Sequence, residues 1–258
     1  ARHPTHSERN LPTMHEMPQP IRSICLCLSL FALLCGCREG MAAEAPQDSV
    51  RLDYPEFAFS LPDGGNTQWV RTIYDSLLSN YQRITRHLHV ASMPRMRVSI
   101  WAHDAGFYDA MRRDLGQAYA GAAGYLAGPT ELRLLYRPAT PHIAVHEFAH
   151  AVSLALNPRF GNRPRWLWEA VAVYETRDVT DASGWANEAK RFPGFSALNQ
   201  YNSPLPYRWG YVISRFIVSQ WGDSGYVNLI RSNGDIGTTF GITESQFGTM
   251  LERFVGRE

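Results

Sequence analysis

The stretch Val145-His146-Glu147-Phe148-Ala149-His150-Ala151-Val152 sets two imidazoles four residues apart, with a carboxylate directly after the first. On a helix four residues turn through about 400°, so the two rings lie about 40° apart on one face, one turn from each other. Two nitrogens so placed can share a tetrahedral metal ion. Glu147 projects about 100° away from His146, too far round to ligate easily but well set beside an open coordination position. A carboxylate there can take a proton from an attacking water. This is the HExxH pattern of a zinc pair with its general base. The flanking residues are apolar, and two imidazoles buried among them need partners for their nitrogens.

A catalytic zinc takes three protein ligands and leaves a fourth position open. Glu169 follows His150 with eighteen residues between them. That is enough chain to end one helix, turn at Asn157-Pro158 and return a second, antiparallel helix. Leu167, Trp168, Ala170, Val171, Ala172 and Val173 surround Glu169 with apolar side chains. A lone carboxylate in such company is costly, and a metal ion removes the cost. His146, His150 and Glu169 are therefore the candidate metal ligands, for Zn2+. His142, one turn before His146, is a further ligand, a group supporting the site, or a solvated residue of the first turn. A straight helix carries its ring away from an ion held by the other two histidines.

HExxH-x18-E, with Trp166-Leu167-Trp168-Glu169-Ala170 around the glutamate and Tyr174 five beyond it, resembles the gluzincin metallopeptidases. The likeness is sharpest at these motifs and extends loosely from about residue 66 onward. It implies a zincin-like domain, in which a small mixed sheet with helices is followed by a helical half and the active-site cleft lies between. It implies His146, His150 and Glu169 as zinc ligands and Glu147 as general base in peptide-bond hydrolysis. It also implies a second electrophile from the helical half, for which Tyr207 and Tyr211 are the candidates, and an extended peptide or protein substrate paired to an edge strand near Leu132 to Tyr136. Two departures matter. The region before the site, Gly121-Ala122-Ala123-Gly124-Tyr125-Leu126-Ala127-Gly128, lacks the Gly-x-Met-Glu-Asn stretch of the aminopeptidases, which favours an endopeptidase. Val173 stands where thermolysin-like enzymes place an Asp that orients a zinc histidine; Glu175, Asp178 or a backbone carbonyl is left to do so. Two other readings share these residues: a non-catalytic, peptidase-like binding protein of the cell envelope, and a zinc amidase acting on the cell wall.

The elements that must carry these residues are legible from periodicity. Thr140 as N-cap and Pro141 at the first position open a helix that runs to about Leu156. A second helix begins near Pro164 and carries Glu169. Three more follow: one ending at Gly222, a short one over Ser224 to Gly234, and one capped by Thr243. Before the site, Val70, Ile73, Leu77, Tyr81, Ile84 and Leu88 fall at helical spacing. A strand after Pro94, a short helix with Asp104 as cap and Gly116 as stop, and two strands turning at Gly128-Pro129 complete the first half. Strands early and helices late give an α+β class. The domain is residues 50–258, with the sheet and site helix in 50–156 and the helical half in 157–258.

Twenty-five Lys and Arg against 24 Asp and Glu, scattered along the chain, give a formal charge of +1 and no case for a nucleic-acid partner. All four cysteines, Cys25, Cys27, Cys35 and Cys37, fall in one short apolar stretch. With Arg22 ahead of it and small residues after, residues 17–37 read as a secretory signal. Leu34-Cys35-Gly36-Cys37 resembles a bacterial lipobox, which implies lipid on Cys37 and anchoring at the cell-envelope membrane. Cleavage near Ala42-Ala43 to a soluble exported protein is the alternative. Residues 1–16 form an extension without fold content, and residues 38–49 a tether.

Overall fold

The computed structural model describes residues 50–177 and 191–256. The signal stretch with Cys25, Cys27, Cys35 and Cys37, the tether and Asp178 lie outside the described residues. The architecture is α+β. Strands β1 (Val50–Asp53) and β2 (Phe57–Leu61) lead into helix α1 (Thr67–His87), strand β3 (Met96–Trp101), helix α2 (Asp104–Leu115) and the hairpin β4 (Gly124–Gly128) and β5 (Glu131–Leu135). Helices α3 (Thr140–Leu156) and α4 (Arg165–Thr176) follow. The remaining described helices are α5 (Phe195–Leu198), α6 (Leu205–Arg231), α7 (Ile236–Phe240) and α8 (Glu244–Val255).

The five strands form one mixed sheet in the order β1-β2-β3-β5-β4. Helix α1 makes the crossover that sets β2 and β3 parallel, and the hairpin turn sets β4 antiparallel to β5. Side chains alternate between faces, as the period of two requires. Ile100, Leu126, Leu132 and Leu134 join the main core with α1 and α3, while their neighbours Trp101, Tyr125 and Leu135 pack with Phe107 and Met111 of α2 on the other face. The strand expected at the edge, Leu132 to Tyr136, is interior: β5 is bonded to β3 on one side and β4 on the other. The hairpin folds outward, so β4 takes the edge.

Three expected caps resolve differently. Thr243 caps α8 in a full capping box with Gln246, as read from sequence. Asp104 does not cap α2; His103 holds the cap position, and Asp63 accepts from the Ala102 and His103 amides at 2.8 and 3.0 Å. Asp104 is inside the first turn and pairs with Arg137 instead. Nor does Thr140 cap α3. Ala139 does, and the fully buried Thr140 hydroxyl donates to the Leu135 carbonyl at 2.9 Å while accepting from the Arg137 amide at 2.6 Å. It thereby ties the end of β5 to the start of the site helix. The expected stop at Gly222 is present: at φ 67° and ψ 179° its backbone is not helical, and α6 is two helical stretches that meet at this kink.

The tightest helix contact in the helical half is α4 against α6. A Cβ on Gly210 would lie 2.8 Å from the Ala170 Cα, closer than side-chain carbons approach. Ser214 reinforces the contact by donating to the Ala170 carbonyl at 3.1 Å. Only a residue without a side chain lets α6 approach so near the residue after Glu169. Gly210→Val is expected to destabilise the fold by about 1–3 kcal/mol through overpacking, read as a lowered midpoint in chemical denaturation.

Candidate metal centre

His146 and His150 lie one turn apart on α3, and their Nε2 atoms stand 3.1 Å from each other. Glu169, on α4, turns Oε2 towards both, at 3.4 Å from His146 and 3.7 Å from His150. The three residues are the cluster among the described residues whose ligand atoms converge as a metal ion requires, all within 4.8 Å. His146 is 6 % exposed and His150 and Glu169 are fully buried. Glu169 Oε2 has no hydrogen-bond partner there, so the buried carboxylate oxygen faces the two imidazoles and nothing else. Two imidazole nitrogens and one carboxylate oxygen so placed form a group that could hold a metal ion.

The turn that brings α4 back to α3 is fixed by Asn157. Its side-chain amide donates to the Ile230 carbonyl at 2.9 Å and to Asn233 Oδ1 at 3.0 Å, while its carbonyl accepts from the Arg159 amide at 3.1 Å. The Asn157-Pro158 stop seen in sequence is thus also an anchor onto the end of α6. Trp168 stacks on His150, with ring centroids 4.1 Å apart and planes 6° apart, and Phe160 meets Trp168 edge-on at 5.4 Å. His150 Nδ1 is buried without a hydrogen-bond partner, so stacking sets the ring's tilt.

Burial pushes the His150 imidazole down to about 4, against the pull of Glu169, and keeps it neutral near pH 7. Burial alone would raise the Glu169 carboxyl, but the imidazoles of His146 and His150 facing it and the charge of Arg165 outweigh that and hold it down to about 2. A neutral imidazole and an ionised carboxylate are the forms that ligate a metal.

Glu147 is fully buried on the same helix. The edge strand passes directly against it: a Cβ on Gly124 would lie 3.1 Å from Glu147 Oε1 and 2.6 Å from Ile143 Cγ2. A glycine at this place in β4 lets backbone, rather than side chain, meet the glutamate.

The two tyrosine candidates separate. Tyr207, in the first turn of α6, stacks near His146 with ring centroids 6.3 Å apart. Tyr211, one turn on, packs on Tyr174 at 5.6 Å and lines a different cavity of about 250 Å³ with Arg83, His87, Arg177 and Asp223. One turn along α6 thus carries the side chain from the neighbourhood of Arg165 and His146 to that of Tyr174. Glu175 is also drawn away from the cluster. It is fully buried in an ion pair with Arg83 at 2.6 Å and a hydrogen bond to His87, and it does not orient a ligand histidine. His142 is exposed in the first turn of α3, outside the cluster. Arg165 stands out in no sequence motif, and Trp168 is legible there as an apolar neighbour of Glu169 but not as the ring stacked on His150. Arg165 stands four residues before Glu169, and that helical spacing of unlike charges was the available signal.

No protein-family model matches the chain, and no curated protein matches it. No helix among the described residues is long and apolar enough to cross a membrane.

The Arg83–Glu175–His87 cluster gives a pH test. Burial disfavours the His87 charge, but the hydrogen bond and charge of Glu175, with Asp223, outweigh it and raise the group above its ordinary 6.5. The stability it contributes is complete below 6.5 and is lost as pH rises through the folded value. The stability gap between the parent and His87→Gln, followed by denaturation at a series of pH values, is therefore expected to narrow as pH rises.

Proposed function

We propose that the protein is a zinc-dependent endopeptidase of the gluzincin type, with a zincin-like domain. The observation that carries the reading is the ligand triangle. Zinc bonds of about 2.0–2.1 Å in tetrahedral geometry put ligand atoms about 3.3 Å apart. The three sides here are 3.1, 3.4 and 3.7 Å. Zinc, when bound, supplies Lewis acidity that makes water nucleophilic near neutral pH and polarises a carbonyl.

The chain's own residues do the rest. Glu147, buried on the site helix and outside the ligand set, takes the proton of the attacking water and passes it to the leaving amine. The unpaired side of β4 receives an extended peptide by strand addition, and Gly124 lets the β4 backbone itself run close to Glu147. Tyr207, beside His146, donates its hydroxyl to the oxygen that becomes negative as the carbonyl is attacked. Glu147 lies buried directly after the first histidine of the cluster and outside the ligand set, where a general base is needed, which favours catalysis over the peptidase-like binding protein. A cell-wall amide and a peptide present the same carbonyl chemistry, so a zinc amidase differs in substrate rather than in mechanism. Export, and membrane anchoring through lipid on Cys37, complete the proposal and rest on the signal-like stretch in the sequence.

The full chain is expected to hold one zinc per molecule. Glu147→Gln should keep the metal and lose about 10²–10⁴-fold in peptide cleavage, measured on an unstructured protein and a peptide library with and without EDTA. Equal, EDTA-insensitive cleavage by parent and variant would falsify the mechanism; zinc binding with no cleavage of any substrate points to the binding protein. Tyr207→Phe should lower kcat by about 10²–10³-fold with little change in KM, while Tyr211→Phe leaves both unchanged. The reverse pattern in steady-state kinetics removes Tyr207 from its role.

A further inference from the structure

Glu169 spends its two oxygens on different partners. Oε2 faces the imidazoles of His146 and His150, and Oε1 accepts from Arg165 Nη1 at 2.9 Å. Arg165 is 4 % exposed, far more buried than an arginine engaged only in a surface ion pair. Its second arm, Nη2, reaches the Tyr207 hydroxyl at 3.4 Å, and the guanidinium lies 5.5 Å over the Tyr207 ring and 5.9 Å over that of Tyr201. One planar, permanently charged fork therefore touches both the carboxylate turned towards the metal position and the tyrosine stacked near His146.

We propose that Arg165 is a positioning residue that holds Glu169 as a one-oxygen ligand and sets Tyr207 against the same centre. The inference rests on the zinc-site reading above. A carboxylate with both oxygens unengaged can swing and close both onto an ion, raising its coordination number and using the position a substrate needs. With Oε1 held by a charge-assisted hydrogen bond, only Oε2 is left to the ion. The geometry suits this role: Arg165 and Glu169 are four apart on α4, so the helix fixes their spacing, and the two tyrosine rings cover the guanidinium. Burying an arginine beside a metal position is unfavourable without a paired carboxylate, and Glu169 is that partner.

Co2+ bound to the purified full chain reports the role without need of a substrate. Tetrahedral Co2+ absorbs strongly in the visible range, and Co2+ of higher coordination number absorbs weakly. The parent is expected to give the strong spectrum. Arg165→Met should bind Co2+ about 10–100-fold more weakly in competition with a chelator, and its visible bands should weaken. Arg165→Lys, whose ammonium can still reach Oε1, should recover most of the parent's affinity and band intensity. Circular dichroism of the metal-free forms checks the fold; where the methionine variant does not fold, Arg165→Gln replaces it, with the same losses expected. A neutral variant that folds and keeps the parent's affinity and spectrum overturns the role of Arg165 alone, as does a lysine variant impaired like the neutral one. A parent that binds no Co2+ overturns the zinc-site reading and this inference with it.

Discussion

A carboxylate sealed from water between two helices sets the terms for the middle of this protein. Glu169 is fully buried, and an ionised group in that position is stable only where opposite charge or hydrogen-bond donors surround it. The fold meets the requirement on both sides. Arg165 serves one oxygen, and the imidazoles of His146 and His150 face the other. Everything that brings α3, α4 and the start of α6 together answers to that demand: the apolar faces of the two site helices, the anchored turn at Asn157, and the missing side chain at Gly210.

A second buried carboxylate repeats the solution at the other end of α4. Glu175 is held by Arg83 and His87 of α1. Helix α4 is therefore charged at both ends of its buried face, with apolar residues between. Glu169 looks towards α3 and Glu175 towards the end of α1. The same helix that carries Glu169 is thus clamped to α1 by an ion pair separate from the candidate site.

Much of this was legible in the sequence, and the reasons differ between fold and site. His146, His150, Glu147 and Glu169 could be read because helix geometry converts spacing into direction, and because a glutamate among Leu167, Trp168 and Val171 needs a partner. The α1 stripe from Val70 to Leu88 was readable for the same reason. What escaped was non-local. Strand β2 carries Phe57, Phe59 and Leu61 in clean alternation, but nothing in five residues says which neighbour it will pair with. The misplaced edge had the same cause, since β5 looks alike whether or not β4 covers its flank. Tyr207 and Tyr211 sit one turn apart, and the packing of α6 against α3 and α4, not either residue's neighbourhood in sequence, separates them. Glu175 looked available to a ligand histidine because Arg83 and His87 lie about ninety residues away in the chain.

The stacking of Trp168 on His150 has a mechanical consequence. A hydrogen bond to a ring nitrogen pins both the angle and the place of an imidazole. A stacked indole, with planes 6° apart, resists tipping strongly but resists sliding within the plane only weakly, because contact area changes little with a small slide. From the indole, His150 thus receives restraint across its plane and little along it, and in-plane restraint falls to the other residues that bury it. Nδ1, lacking an acceptor, adds none. Glu169, by contrast, is held by a directional hydrogen bond to Arg165 on its own helix, which the His150 Nδ1 lacks.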